Sequence, residues 1–104
     1  MKKIIDGKLY DTATAQQLCE LESTEYVNDF HWHETRLYRT KNGAFFVAGR
    51  GGPASMWASP RGQSSWADGS GLRVIDDLEA RSHMEVANCT VADYAVAGLD
   101  VGEG

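Results

Sequence analysis

The chain is 104 residues long, 42% hydrophobic and 10% aromatic, with a net charge of −5. That suffices for one domain around one modest core and is too apolar for a disordered chain. Nothing in it approaches the run of about 18 apolar residues that spans a bilayer, and the basic start Met1-Lys2-Lys3 lacks the apolar stretch of a signal peptide, so the expected location is cytoplasmic.

Lys2 to Ile5 and Lys8 to Tyr10 are short β-prone runs around Asp6-Gly7, a dipeptide suited to a two-residue turn with both φ angles positive. A small N-terminal hairpin is predicted. Thr12 then caps a predicted helix through its hydroxyl, with Asp11 near the positive end of the dipole. Ala15, Leu18 and Cys19 fall at i, i+3 and i+4 and form its apolar stripe, which stops at Glu22; the helix should end near Glu22 or Ser23.

Trp32 to Thr40 reads as a strand, Lys41-Asn42-Gly43 as a hairpin turn and Ala44 to Ala48 as the return strand. Trp32, Glu34, Arg36 and Tyr38 share one face, and His33, Thr35, Leu37 and Arg39 the other. Neither face is cleanly apolar, so this strand is expected to be partly exposed, whereas Phe45, Phe46 and Val47 allow burial of the return strand on both faces. Gly49 to Gly71 reads as irregular, with six of the eleven glycines, both prolines, Trp57 and Trp66, and one helical turn at Met56-Trp57-Ala58. Leu72 to Ile75 is a short strand. Asp76 is the predicted N-cap of a helix over about 78–87 with Ala80, Met84 and Ala87 inward, and Thr90 caps a last helix, Val91 to Ala97, closed by Gly98. The fold class is thus α+β, a small antiparallel sheet of hairpins packed with two or three short helices, as one domain over 1–104 with a frayed tail from 98 to 104.

His31-Trp32-His33-Glu34 places two imidazoles at i, i+2, but a zinc site needs three or four ligands, and the others would have to come from distant residues such as His83 or Cys89. Two partly exposed strand histidines is the simpler reading, with no metal and no cofactor expected. Gly49-Arg50-Gly51-Gly52-Pro53 could form an anion-binding nest; it matches neither phosphate-loop pattern, and a tight exit from the hairpin explains the glycines better. Cys19 and Cys89 lie in apolar stretches without CxxC spacing and read as free, buried, inert thiols. No nucleophile-elbow motif accompanies the serines, so no catalytic residues are assigned and an enzyme is not expected.

The charge is segregated. Residues 11–34 hold six acids and no Lys or Arg; residues 35–75 hold six bases against Asp68; residues 76–104 hold seven acids against Arg81. The basic middle interleaves Arg36, Arg39, Lys41, Arg50, Arg61 and Arg73 with Tyr38, Phe45, Phe46, Trp57 and Trp66, the combination that single-stranded nucleic acid requires, unless these aromatics fill the core. The acidic blocks offer Asp76, Asp77, Glu79, Glu85 and Asp93 in one and Glu20, Glu22, Glu25 and Asp29 in the other. Carboxylates on a fixed surface can imitate duplex phosphates and steer association with a basic partner. A merely solubilising face is the alternative.

The opening Lys2-Lys3-Ile4-Ile5-Asp6-Gly7-Lys8-Leu9-Tyr10-Asp11-Thr12-Ala13-Thr14-Ala15 resembles small proteins of phages and integrating mobile elements. So does Glu34-Thr35-Arg36-Leu37-Tyr38-Arg39-Thr40-Lys41-Asn42-Gly43-Ala44-Phe45-Phe46 with Gly49 to Gly52. The resemblance covers the first half of the chain and carries no catalytic signature. Small acidic proteins of such elements include many anti-CRISPR proteins, and this sequence looks like one. The resemblance implies a stoichiometric inhibitor in the host bacterial cytoplasm. Its partner would be a host protein or ribonucleoprotein, a CRISPR effector complex, whose Lys/Arg groups that read or hold DNA would meet the nine carboxylates. No direct nucleic acid and no membrane are expected as partners. The alternative is a nucleic-acid-binding accessory protein of a mobile element using the basic hairpin and the glycine-rich stretch, and a third, weaker possibility is an enzyme with a His31/His33 metal site.

Overall fold

The computed structural model describes residues 1–21, 30–62 and 65–104. Strands β1 (Lys2–Ile5) and β2 (Lys8–Asp11) form the N-terminal hairpin, with Asp6 and Gly7 at φ 51° and 76°, as the dipeptide predicts. β3 (Gln16–Glu20), β4 (His33–Arg39), β5 (Phe45–Gly51) and β8 (Gly69–Ile75) make an antiparallel four-stranded sheet in the order β3-β4-β5-β8. Between β5 and β8 lies a third, two-stranded sheet, β6 (Ser59–Arg61) with β7 (Ser65–Ala67). The helices α1 (Asp77–Val86) and α2 (Val91–Ala97) close the chain. The class is α+β, as expected.

Two clusters of side chains sandwich the main sheet. On one face Leu18, Leu37, Phe45, Val47 and Ile75 meet Trp57, Ala80, Met84, Ala97 and Leu99 beneath the helices. On the other, Tyr38, Phe46, Ala48 and Leu72 are covered by Tyr10 of the N-terminal hairpin. Tyr38 and Phe46 are cross-strand partners stacked at 5.0 Å, and Tyr10 meets Phe46 edge-on at 5.7 Å, both favoured ring geometries. β5 is buried on both faces over Phe45 to Ala48, as its sequence indicates.

Three expectations need correction. The helix predicted after Thr12 is a strand over Gln16–Glu20. A single helical turn does form, with the Ala15 N–H donating to Asp11 C=O at 3.0 Å, but the Thr12 hydroxyl is engaged with the N-terminus and C=O of Met1 rather than capping a helix. The helical stripe was imitated by a β-bulge. Gln17 opposes Tyr38 and Cys19 opposes Leu37, so Leu18 is the extra residue and both it and Cys19 pack on the helix-side core.

β4 is partly exposed, as expected, with His33, Glu34, Arg36 and Arg39 half-buried. Flanked by β3 and β5, it buries Thr35 and Leu37 on one face and Tyr38 on the other. The segment 49–71 is far from structureless: β5 runs on to Gly51, β6 and β7 pair, β8 begins at Gly69, and 56–58 is a turn rather than a helix. The tail expected to fray from Gly98 is tied down as far as Asp100. Gly98 is left-handed at φ 72°, Leu99 is buried and donates its N–H to Tyr94 C=O at 3.0 Å, and Arg81 Nη1 donates to Asp100 C=O at 2.7 Å.

The helix caps form as read. Asp76 accepts from the Glu79 N–H at 2.8 Å, and Thr90 and Asp93 make a reciprocal capping box. α1 ends where Asn88 takes a left-handed φ of 56° and the Cys89 N–H returns to Met84 C=O at 3.0 Å.

Candidate protein-binding surface

α1 has one buried line, Ala80 and Met84. With about 100° per residue, the opposite side of the helix presents Leu78, Glu79, Ser82, Glu85 and Val86. Leu78 is 76% exposed and Val86 82%, while Val91, which opens α2, is 72% exposed. Single exposed aliphatics are ordinary, but three branched ones grouped among carboxylates depart from a solvating face.

The nine acids expected to bind a partner are not one surface. Glu22, Glu25 and Asp29 lie outside the described residues. Asp76 and Asp93 are spent on capping, each accepting a backbone N–H at 2.8 Å. Glu79 pairs with Arg73 at 3.4 Å and approaches His83 Nε2 at 3.6 Å. Glu20 stands on β3, away from the helix N-terminus, and pairs with Arg36 at 3.5 Å. Among the described residues, Asp77 and Glu85 are the predicted acids left without an ion pair or a cap, and both are exposed. The structure therefore leaves two acids of α1 exposed on the segment that also exposes Leu78, Val86 and Val91, three aliphatic side chains that sequence reasoning did not select. Their signal was present in the alternation of Leu78 and Val86 with the buried line of α1.

Beside Val86 a cleft of about 500 Å³ opens between α1 and the β3–β4 edge. Leu21, Met56, Val86 and Ala87 give it apolar walls; Glu20, His33 and His83 bring polar groups. At its floor the buried Thr35 hydroxyl accepts from Trp57 Nε1 at 2.8 Å and lies 2.9 Å from His33 Nδ1. His33 and His83, far apart in sequence, thus share one cleft, yet among the described residues no group of three or more potential metal ligands forms.

The glycine-rich exit of β5 serves packing. A Cβ on Gly49 would strike the Glu34 carbonyl and the Trp57 indole, and one on Gly71 would meet the Trp57 ring at 3.2 Å. Gly49, Gly51 and Gly71 keep negative φ, so the alternating left-handed geometry of an anion nest is missing at these positions. These glycines let Trp57 lie flat on the sheet.

The basic middle is internally matched. Arg36 bonds Glu34 at 3.1 Å as well as Glu20, and Arg50 bonds Glu34 at 3.2 Å while its guanidinium sits 5.1 Å over the Trp32 ring. Partial desolvation works against the Arg36 charge, but the Glu34 and Glu20 carboxylates outweigh it and raise its pKa. Tyr38, Phe45, Phe46 and Trp57 are core residues; Trp66 is 59% exposed on β7.

No protein-family model, curated protein or solved structure matches the chain. Among the described residues no helix is long and apolar enough to cross a membrane.

Proposed function

We propose that the protein acts by stoichiometric binding to another macromolecule through the outward face of α1 and the start of α2, and that it is an anti-CRISPR-like inhibitor. The observation that carries the binding reading is that α1 and the start of α2 expose Leu78, Val86 and Val91 on the same segment as the unpaired, exposed Asp77 and Glu85. Such a face suits a partner surface that pairs Lys or Arg with apolar contacts, because aliphatic anchors supply affinity and the carboxylates supply steering and register. A CRISPR effector's DNA-binding surface has that chemistry, and the resemblance of the first half of the chain to mobile-element proteins supports choosing it. Pure DNA mimicry fits less well, since a phosphate imitator has no use for three aliphatic side chains.

The test is an immunity assay with the protein and its variants expressed against a panel of CRISPR effector types, alongside direct binding to each purified complex. Asp77→Lys with Glu85→Lys reverses the free acids while leaving both caps intact. Inhibition and binding by the parent, lost in this variant and weakened by rising salt, are expected. Full inhibition by the variant would refute this surface, and no binding to any effector type would refute the anti-CRISPR assignment.

The nucleic-acid alternative draws on less. The expected stacking platforms are mostly core residues and three of the six cations, Arg36, Arg50 and Arg73, are ion-paired, leaving Trp66 beside the exposed Arg61. A gel shift at micromolar protein, weakened by Trp66→Ala, would favour it over the first reading.

A further inference from the structure

Cys19 and Cys89 are 70 positions apart in sequence, and the fold packs both against one core cluster. Cys19 is on β3, which packs against α2, and Cys89 sits in the turn between α1 and α2. Both are free thiols, both are half-buried, and both pack on the same helix-side cluster. Cys89 is near enough to help hold the Cys19 thiol protonated, and Tyr94 lies within electrostatic reach of both. The sequence reading had both as free, buried, inert thiols in apolar stretches; in the fold Cys19 is on a strand and Cys89 in a turn. The β3 bulge is what turns Cys19, which simple alternation after Leu18 would have pointed away, toward the helices.

We infer that Cys19 and Cys89 form an intramolecular redox pair, a modification site at which a peroxide converts two thiols into a disulfide that staples β3 to the α1–α2 turn. In the first step the Cys89 sulfur attacks one peroxide oxygen, the O–O bond breaks, and Cys89 sulfenic acid and water form. In the second, the Cys19 sulfur attacks the Cys89 sulfur, the S–O bond breaks and a second water leaves with the Cys19 proton. Two thiols and one hydrogen peroxide thus give one disulfide and two waters. The order follows from the surroundings. Burial first, then Cys89 and Asp93, hold the Cys19 thiol protonated, with its pKa pushed up to about 12, so Cys19 is the resolving partner. Converting Cys89 to the uncharged sulfenic acid removes one of those opposing influences.

The staple would close a long loop through the whole main sheet, so it stabilises by restricting the unfolded chain. It is independent of the partner-binding reading, because neither sulfur belongs to the outward face of α1.

The experiment treats the full chain, folded and at low micromolar concentration, with hydrogen peroxide, then blocks remaining thiols and digests with trypsin. Mass spectrometry should find peptide 9–36 joined to peptide 82–104 with the loss of two hydrogens. Thermal unfolding of the oxidised chain should rise by roughly 10 °C and return on adding a reductant. Cys19→Ser and Cys89→Ser should each abolish both changes, and Cys89→Ser alone should also abolish trapping of a sulfenic acid by dimedone. The unvaried chain decides the matter even if a variant folds poorly. Two thiols that stay open to alkylation after peroxide treatment, linkage only in denaturant, or linkage only between two chains would each overturn the inference.

Discussion

The β4–β5 hairpin and helix α1 are both dense in charge and use it in opposite ways. In the hairpin, Glu34 lies between Arg36 and Arg50, Glu20 closes the chain of pairs, and Trp32 lies under Arg50. These charges are matched within the sheet, and Tyr38, Phe45 and Phe46 are core. In α1, Glu79 has a cationic partner, while Asp77 and Glu85 are exposed without one, on the helix that also exposes Leu78 and Val86. A block of charge in a sequence is therefore no measure of charge available to a partner. What matters is whether the neighbouring strand or turn brings the opposite sign within pairing distance.

The largest way to break that contrast is to remove what holds the sheet side together. Trp57→Ala should destabilise the protein by about 3–5 kcal/mol, since it empties the space that Gly49 and Gly71 leave and removes the indole's bond to the buried Thr35 hydroxyl. Denaturant unfolding followed by circular dichroism measures it, and a loss under 1 kcal/mol would mean the indole is not a core residue. The next effect is one of pH. The Cys19 pKa is raised from 9.0 to about 12, chiefly by burial, so the folded state keeps a proton that the unfolded state gives up. Stability is fully present below pH 9 and is lost as pH climbs toward 12. The alkaline fall should be shallower in Cys19→Ala, and identical slopes in the two proteins would contradict the burial of this thiol.

On the helix side the expected costs are smaller. Asp76→Ala removes the α1 cap and should cost about 1 kcal/mol, read by the same unfolding curves. Asp77→Asn, one residue on and uncapped, should cost little beyond the dipole contribution, about 0.5 kcal/mol. Smallest of all, Leu78→Ser with Val86→Ser should leave stability within about 0.5 kcal/mol while weakening partner binding, which separates a binding face from a structural one. A large stability loss there would show that these side chains pack within the chain after all.

The sequence by itself determined the features that depend on a few neighbouring residues. Asp6-Gly7 specifies its turn because few other residues tolerate positive φ at both positions, and Asp76, Thr90 and Gly98 mark helix ends because capping is a contact within one turn. The α+β class and the doubly buried β5 were legible for the same reason. Only the tertiary structure decided the rest. Three apolar residues at 15, 18 and 19 fit a helix or a bulged strand equally, and it was the open edge of β4, with Thr35 and Leu37 to cover, that selected the strand. Trp57 looked like a loop residue until Gly49 and Gly71, distant in sequence, formed the flat bed it occupies. The acidic blocks counted alike in the sequence, yet capping and ion pairing withdrew four of the six candidate carboxylates among the described residues. Each of these outcomes rests on contacts across strands or between sheet and helix, which local propensity does not encode.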